Sequence, residues 1–337
     1  MKKILLIGLV CLFVSIIAIG FWLDSDVRKM LNTPLQISET EILEVRPGQS
    51  LTSLANELVD FGWIEHPYYL VYEGRRQEIA SQLKIGEYII KPGTTPLQLL
   101  EILVAGKVKQ YALTIPEGLN FSQILELLEQ DSRIIKTLGN LKPASIMTEL
   151  GYAGYQPEGR IFPSTYHFPA NTTDVEFLTR AIELQKKVLQ EEWQRRELNL
   201  PYASPYQALI MASIIEKETG VAEERGKIAG VFVRRLKLNM KLQTDPTVIY
   251  AMGDIYKGNI RKKDLSIDSP YNTYKYKGLP PTPIASAGRE ALIAALHPEP
   301  GESLYFVAKG DGTHHFSKTL QEHNRAVARY QLNRGRQ

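Results

Sequence analysis

The sequence predicts an α+β protein: a single N-terminal transmembrane helix, a small αβ domain and a larger mixed α/β domain. Three observations carry that reading. Residues 4–23 form an uncharged apolar run. A short β-type stretch that ends in a Pro/Gly turn and leads into an amphipathic helix then recurs three times. From about Gly151 the chain becomes rich in proline and tyrosine and alternates with longer helical periodicities. At 337 residues there is room for about two domains.

Composition sets the outer limits. With 44% hydrophobic and 23% charged residues the chain is globular rather than disordered. Forty Lys and Arg face 37 Asp and Glu, and Lys2 and Lys3 sit beside the apolar run. The body is therefore close to neutral and lacks the dense basic face of a nucleic-acid binder. Cys11, the one cysteine, lies inside the run, which excludes an intrachain disulfide and a cysteine-based metal site.

Ile4 to Leu23 is twenty residues without a charge. At a rise of about 1.5 Å per residue it covers the roughly 30 Å hydrocarbon core of a bilayer. Lys2 and Lys3 before it and Asp24 and Asp26 after it orient the N-terminus to the cytoplasm and the body outside. A cleaved signal peptide is the competing reading, because Ala18-Ile19-Gly20 resembles a small-x-small site. The length of the run and its continuation through Phe21-Trp22-Leu23 favour an uncleaved anchor over residues 1–23. A lipoprotein does not fit, since Cys11 follows Val10 and sits mid-span. The expected location is the cytoplasmic (inner) membrane, single-pass, followed by a polar tether over 24–37.

The three repeats come next. Ile42 to Val45 enters Pro47-Gly48, and Leu51, Leu54 and Leu58 follow at helical spacing. Tyr88 to Ile90 enters Pro92-Gly93, followed by Leu97, Leu100 and Leu103; Leu113 to Ile115 enters Pro116-Glu117-Gly118, followed by Phe121, Ile124 and Leu128. Pro and Gly stop each strand, and Ser50, Thr94 and Asn120 are the expected helix caps. These segments define a small domain over 38–110 and an αβ connecting region over 111–150. Further on, Asn171-Thr172-Thr173-Asp174 caps a helix to about Arg196. Ser204-Pro205-Tyr206-Gln207 opens another to Thr219, with Gly220 expected as its left-handed stop. A helix over 222–238, an irregular polar stretch to Pro283, a helix over 287–296, a strand at 304–308 and a closing helix over 322–333 complete the larger domain, 151–337.

The run from Val45 to Ala55, Val-x-Pro-Gly-x-Ser-Leu-x-x-Leu-Ala, resembles the opening of LysM modules, small β-α-α-β units that bind N-acetylglucosamine-containing glycans. That resemblance implies a glycan-binding role for residues 40–107. Without it, the same segments are simply compact αβ units.

The chemistry concentrates at Met211-Ala212-Ser213-Ile214-Ile215-Glu216-Lys217-Glu218-Thr219, an apolar helix ending in two carboxylates. On an α-helix Glu216 and Glu218 lie about 200° apart, so the two cannot share one cleft. Glu218 shares its face with Met211, Ile214 and Ile215; Glu216 shares its face with Leu209 and Ala212. A carboxyl emerging from an apolar wall near a helix C-terminus is held protonated toward neutral pH, as a general acid requires. The alternative is a solvated helix end with Lys217 and Arg225 as counter-charges, and periodicity does not choose between the two glutamates.

Met211–Thr219 together with Leu242-Gln243-Thr244-Asp245-Pro246-Thr247-Val248-Ile249-Tyr250 resembles the MltG (YceG-like) family of endolytic murein transglycosylases. So do Pro270-Tyr271-Asn272-Thr273-Tyr274, Gly278–Ile284, Leu304–Val307, and Glu158-Gly159 with Phe162–Tyr166; Ser164 departs from the acidic residue usual there. The resemblance implies that Glu218 is the catalytic acid and base in a lyase reaction within peptidoglycan glycan strands. It cleaves the bond from N-acetylmuramic acid to N-acetylglucosamine and leaves 1,6-anhydro ends. It further implies strand termination beside synthases of the penicillin-binding class.

Gln243, Thr244 and Asp245 are candidates for contacting sugar hydroxyls or N-acetyl groups, against a turn in which Asp245 and Thr247 bond the local backbone. Tyr271, Asn272 and Thr273 are candidates for an aromatic platform and polar groove contacts, against a tyrosine-rich loop packed on the core. Glu158 is a candidate groove carboxylate. His314, His315 and His323 lack metal-site spacing and read as a strand-end turn and surface histidines. No metal and no cofactor are expected. Two other classes compete: a non-catalytic peptidoglycan-binding membrane scaffold, and a pyridoxal-phosphate lyase, which the anchor and the lack of a phosphate-cradling glycine loop oppose.

Overall fold

The computed structural model describes residues 2–79 and 82–332, and the chain divides into two compact units. The first comprises residues 1–111 and 167–171; the second comprises 112–166 and 172–337.

In the first unit, helix α1 (Lys2–Asn32) is followed by β1 (Glu41–Val45), α2 (Leu51–Asp60), α3 (Tyr68–Arg76), β2 (Gly86–Ile90) and α4 (Pro96–Ala105). Strands β1 and β2 pair antiparallel, with Leu43 opposite Tyr88 and Val45 opposite Gly86. Alternation turns Leu43, Val45, Tyr88 and Ile90 inward against Leu51, Leu54, Leu58, Leu99, Leu100 and Leu103 from the helices. Ser50 caps α2 by accepting from Ser53 N. The cap of α4 is Thr95 rather than the expected Thr94, which donates instead to Lys91 O at 2.7 Å. Pro96 at the first turn and Gln98 closing the box place that start one residue later. Helix α3 lacks a continuous apolar stripe, which Glu73 and Gly74 interrupt, so periodicity alone does not predict it.

The stretch expected as a tether over 24–37 is helical through Asn32, and Leu31 and Leu35 are buried. Tyr69 on α3 donates its hydroxyl to Asp26 Oδ2 at 2.7 Å. Among the described residues no helix is long and apolar enough to cross a membrane. The side chains of residues 2–7, 9–11 and 23, on which much of the anchor reading falls, lie outside the described residues.

The second unit contains β3 (Gln110–Thr114), α5 (Phe121–Gln130), β4 (Ile134–Ile135), α6 (Pro143–Glu149), β5 (Thr165–Pro169), β6 (Thr172–Thr173) and α7 (Asp174–Gln194), the division falling inside β3 and β5. Then follow α8 (Pro205–Glu218), α9 (Ala222–Lys237), α10 (Asp245–Met252), α11 (Arg289–Leu296), β7 (Tyr305–Ala308), β8 (His314–Ser317) and α12 (Leu320–Val327). Helix α8 is the central element: every residue from Ala208 to Ile215 is buried, and α7, α9, α10 and α11 pack around it. A helix apolar on all sides has no other stable place than a core.

Five expectations change here. Helix α8 ends with Thr219 in extended conformation, φ −147°, not with a left-handed Gly220. Its N-terminal box is offset, since Gln207 Oε1 accepts from Ala203 N at 2.7 Å while Ser204 Oγ accepts from Gln207 N. The irregular polar stretch contains α10, with Thr244 before it and Pro246 in its first turn. The segment after the Gly310–Gly312 turn is β8, paired antiparallel with β7 so that Tyr305 opposes Ser317 and Ala308 opposes His314. The closing helix starts earlier, at Leu320, on a Thr319–Glu322 capping box.

Candidate active site

Glu218 is the last residue of α8 and lines a cleft of about 480 Å³. The extended Thr219 turns the chain away at once, so nothing on α8 continues past the carboxyl. Burial pushes the Glu218 carboxyl up to about 7, and the nearby charge of Asp245 adds to the rise. A hydrogen bond opposes it: Thr244 Oγ1 donates to Glu218 Oε1. The result is an acid that holds its proton close to neutrality while facing open space. Glu216 turns to another side of α8, where its Oε2 accepts from Gly288 N at 2.9 Å.

The loop that delivers Thr244 is held by buried threonines. Thr244 N donates to Thr273 Oγ1 at 3.1 Å, Thr247 Oγ1 donates to Thr244 O at 2.8 Å, and the Thr247 and Thr273 hydroxyls are 2.9 Å apart. Gln243 sits in the left-handed region, φ 52°, with its N–H on Thr273 O at 3.2 Å. This turn aims the Gln243 and Asp245 side chains at the cleft. Asp245 Oδ1 accepts from the Tyr274 hydroxyl at 2.6 Å, and burial together with that carboxylate pushes the Tyr274 phenol well above its usual range.

The remaining sequence candidates lie elsewhere. Asn272 is fully buried; its Nδ2 donates to Leu265 O at 3.0 Å and Ile267 O at 2.8 Å, and its Oδ1 accepts from Tyr274 N. It and Thr273 support the wall of the cleft from behind. Tyr271 shares a hydrogen bond with the Thr282 hydroxyl at 2.8 Å and packs on Tyr250, ring centroids 4.8 Å apart. Glu158 is buried, accepting from Phe121 N at 3.1 Å at the start of α5 and from the Tyr250 hydroxyl at 2.9 Å. Neither Glu158 nor Tyr271 lines the cleft around Glu218.

The opposite wall was not anticipated. It comes from β7, β8 and α12, with Arg235 of α9 reaching in. His314 is no surface histidine: its Nδ1 is 2.7 Å from Glu224 Oε2, and its side chain is 11% exposed. His323 stacks on Tyr305 at 5.3 Å, and His315 packs near Tyr330. Among the described residues no three His, Cys, Asp or Glu side chains converge as a metal ion requires. The only sequence hint for Arg235 was its place on a helix whose neighbours Phe232 and Val233 are core.

The YceG-like family model matches residues 43–329. The chain is 34% identical over 325 residues to an endolytic murein transglycosylase of Bacillus subtilis, covering 90% of this chain and 88% of that one. A protein of the same name from Streptococcus pneumoniae is 27% identical over 317 residues, which is 84% of this chain and 57% of that one. A crystal structure of a YceG-like protein from Listeria monocytogenes superposes with a TM-score of 0.54 at 31% identity, covering 85% of this chain and 98% of that one. The carboxyl-bearing end of α8, the threonine-braced loop and the β7–β8 wall thus stand in a chain that belongs to the YceG-like family.

Proposed function

We propose that this protein is an endolytic lytic transglycosylase acting on peptidoglycan glycan strands. The observation that carries the reading is Glu218, a carboxyl held near pKa 7 at a helix end that opens onto a cleft. Its family membership and the names of its relatives point the same way.

A single carboxyl of this kind suffices for a lyase reaction. Protonated Glu218 donates to the glycosidic oxygen as the bond from muramic C1 breaks. Positive charge spreads over C1 and the ring oxygen, and the neighbouring N-acetyl oxygen stabilises C1 without an enzyme nucleophile. The ionised Glu218 then takes the proton of the muramic 6-hydroxyl, whose oxygen closes on C1 to form the 1,6-anhydro ring. The proton returns to the residue that gave it, and no water is consumed. Thr244 steadies the ionised half of that cycle through its hydrogen bond to Oε1. A non-catalytic scaffold would leave this desolvated acid without a purpose.

Anchorage by residues 1–23 in the cytoplasmic membrane, with the body outside, belongs to the same proposal and is supported by the charge pattern around residues 4–23. A LysM-like role for the first unit is supported by the order β1, α2, α3, β2. Strand termination beside a penicillin-binding-class synthase is the setting such a location suits. Mass spectrometry of digested glycan strands tests the central reaction: anhydro ends are expected, and reducing ends would mean hydrolysis.

A further inference from the structure

Arg235 lines the cleft that holds Glu218, yet only 6% of the residue is exposed. Its guanidinium is held by neutral acceptors. Nε donates to Leu304 O at 2.6 Å, and Nη1 donates to Leu242 O at 2.8 Å, Lys241 O at 3.1 Å and Gln243 Oε1 at 3.3 Å. These dipoles orient the cation without cancelling its charge. Among the described residues no carboxylate stands within ion-pair distance of it, and Nη2 makes no hydrogen bond. Buried charges ordinarily have a partner, because desolvation penalises an unpaired ion heavily.

A second unspent group, His323, lines the same cleft and packs on the same ring, that of Tyr305. Tyr305 carries the guanidinium of Arg235 4.9 Å from its ring centre and the His323 imidazole at 5.3 Å. His323 Nδ1 is buried and has no hydrogen-bond partner. Burial and the charge of Arg235 both keep this imidazole below its ordinary pKa, so it stands neutral until an anion arrives. The third basic side chain of the wall, His314, is already matched by Glu224. Arg235 and His323 are the two that remain open.

We propose that Arg235 and His323 form a carboxylate subsite that grips an acid group of the glycan strand beside Glu218. This assignment rests on the peptidoglycan reading above. Such strands carry carboxylates from two sources, the lactyl arm of unsubstituted muramic acid and the peptide stem, and the free Nη2 amino group, a charged donor, suits either.

Ligand-detected NMR on the full chain tests it without needing turnover. One pair of probes is N-acetylmuramic acid against its methyl ester; the other is muramyl dipeptide, whose lactyl arm is amidated, against its ester. In at least one pair the acid is expected to bind about tenfold more tightly than the ester, and the pair that does so identifies the source. Arg235→Gln is expected to bring that ratio to about one and His323→Gln to lower it several-fold. No acid preference in the parent protein, or a preference that survives in folded Arg235→Gln, overturns the subsite. Should Arg235→Gln fail to fold, an unchanged ratio in His323→Gln overturns it instead. An acid preference without anhydro ends in the strand digest would leave the subsite standing and remove the transglycosylase reading.

Discussion

Thr244 Oγ1 donates to Glu218 Oε1, joining the residue before α10 to the last residue of α8. The bond stabilises the ionised carboxylate, while burial stabilises the protonated acid. The pKa near 7 is the balance of the two, and a residue that must give a proton and take it back needs both.

Glu218→Gln keeps the shape and the acceptor for Thr244 but removes the transferable proton. Release of anhydro ends is expected to fall about 10²- to 10⁴-fold. Mass spectrometry of the digest, with circular dichroism showing an unchanged fold, checks it; persistent cleavage would remove Glu218 from the acid/base role.

Thr244→Val removes the hydrogen bond that favours the ionised form, so the Glu218 pKa rises further. The alkaline limb of the pH–rate profile is expected to move up by about one pH unit. A limb that stays in place or moves down contradicts the balance described above.

Stability carries the same signature. The folded pKa of Glu218, about 7, lies above its ordinary 4.5, so the native state binds the proton more tightly than the unfolded chain. Ionisation therefore destabilises the fold not at all below pH 4.5, increasingly between 4.5 and 7, and fully above 7. Glu218→Gln is expected to gain on the parent protein through that window, reaching on the order of 3 kcal/mol above it. Urea denaturation below and above the window measures the gap; a gap independent of pH would refute it.

Asn272→Ala leaves the carbonyls of Leu265 and Ile267 and the N–H of Tyr274 without their partner in a buried site. A loss of about 3 kcal/mol in unfolding free energy is expected. If Asn272 were instead a groove contact, the variant would lose substrate affinity with little change in the urea midpoint.

Gly159 has φ +71°, and a Cβ there would stand 2.4 Å from Pro283 Cβ and 3.3 Å from Ala285 O. Gly159→Ala combines left-handed strain with overpacking against a rigid ring and is expected to destabilise by about 3 kcal/mol. A thermal melt within one degree or so of the parent would show that the loop yields freely.

Local spacing was enough for much of the architecture. Ser50, Asn120, Thr173 and Ser204 announce helices, and all four cap them. The apolar stretch of α8 and the opposed directions of Glu216 and Glu218 follow from a 3.6-residue turn, which neighbours in the chain suffice to reveal. Choosing Glu218 over its neighbour came from the family resemblance, since both residues satisfy the periodicity equally.

The setting of the acid lies beyond such spacing. Thr244 reaches Glu218 across 26 residues, and His314 reaches Glu224 across 90. No periodic pattern records a hydrogen bond between segments brought together by chain reversal. Asn272 and Thr273 read as groove residues because polarity marks a side chain as able to bond, not which partner it meets. Arg235 stayed hidden for the converse reason: on a helix it resembles any surface arginine until the backbone carbonyls of two later segments close around it. Desolvation is a property of what surrounds a group, and that is settled only when the chain has folded.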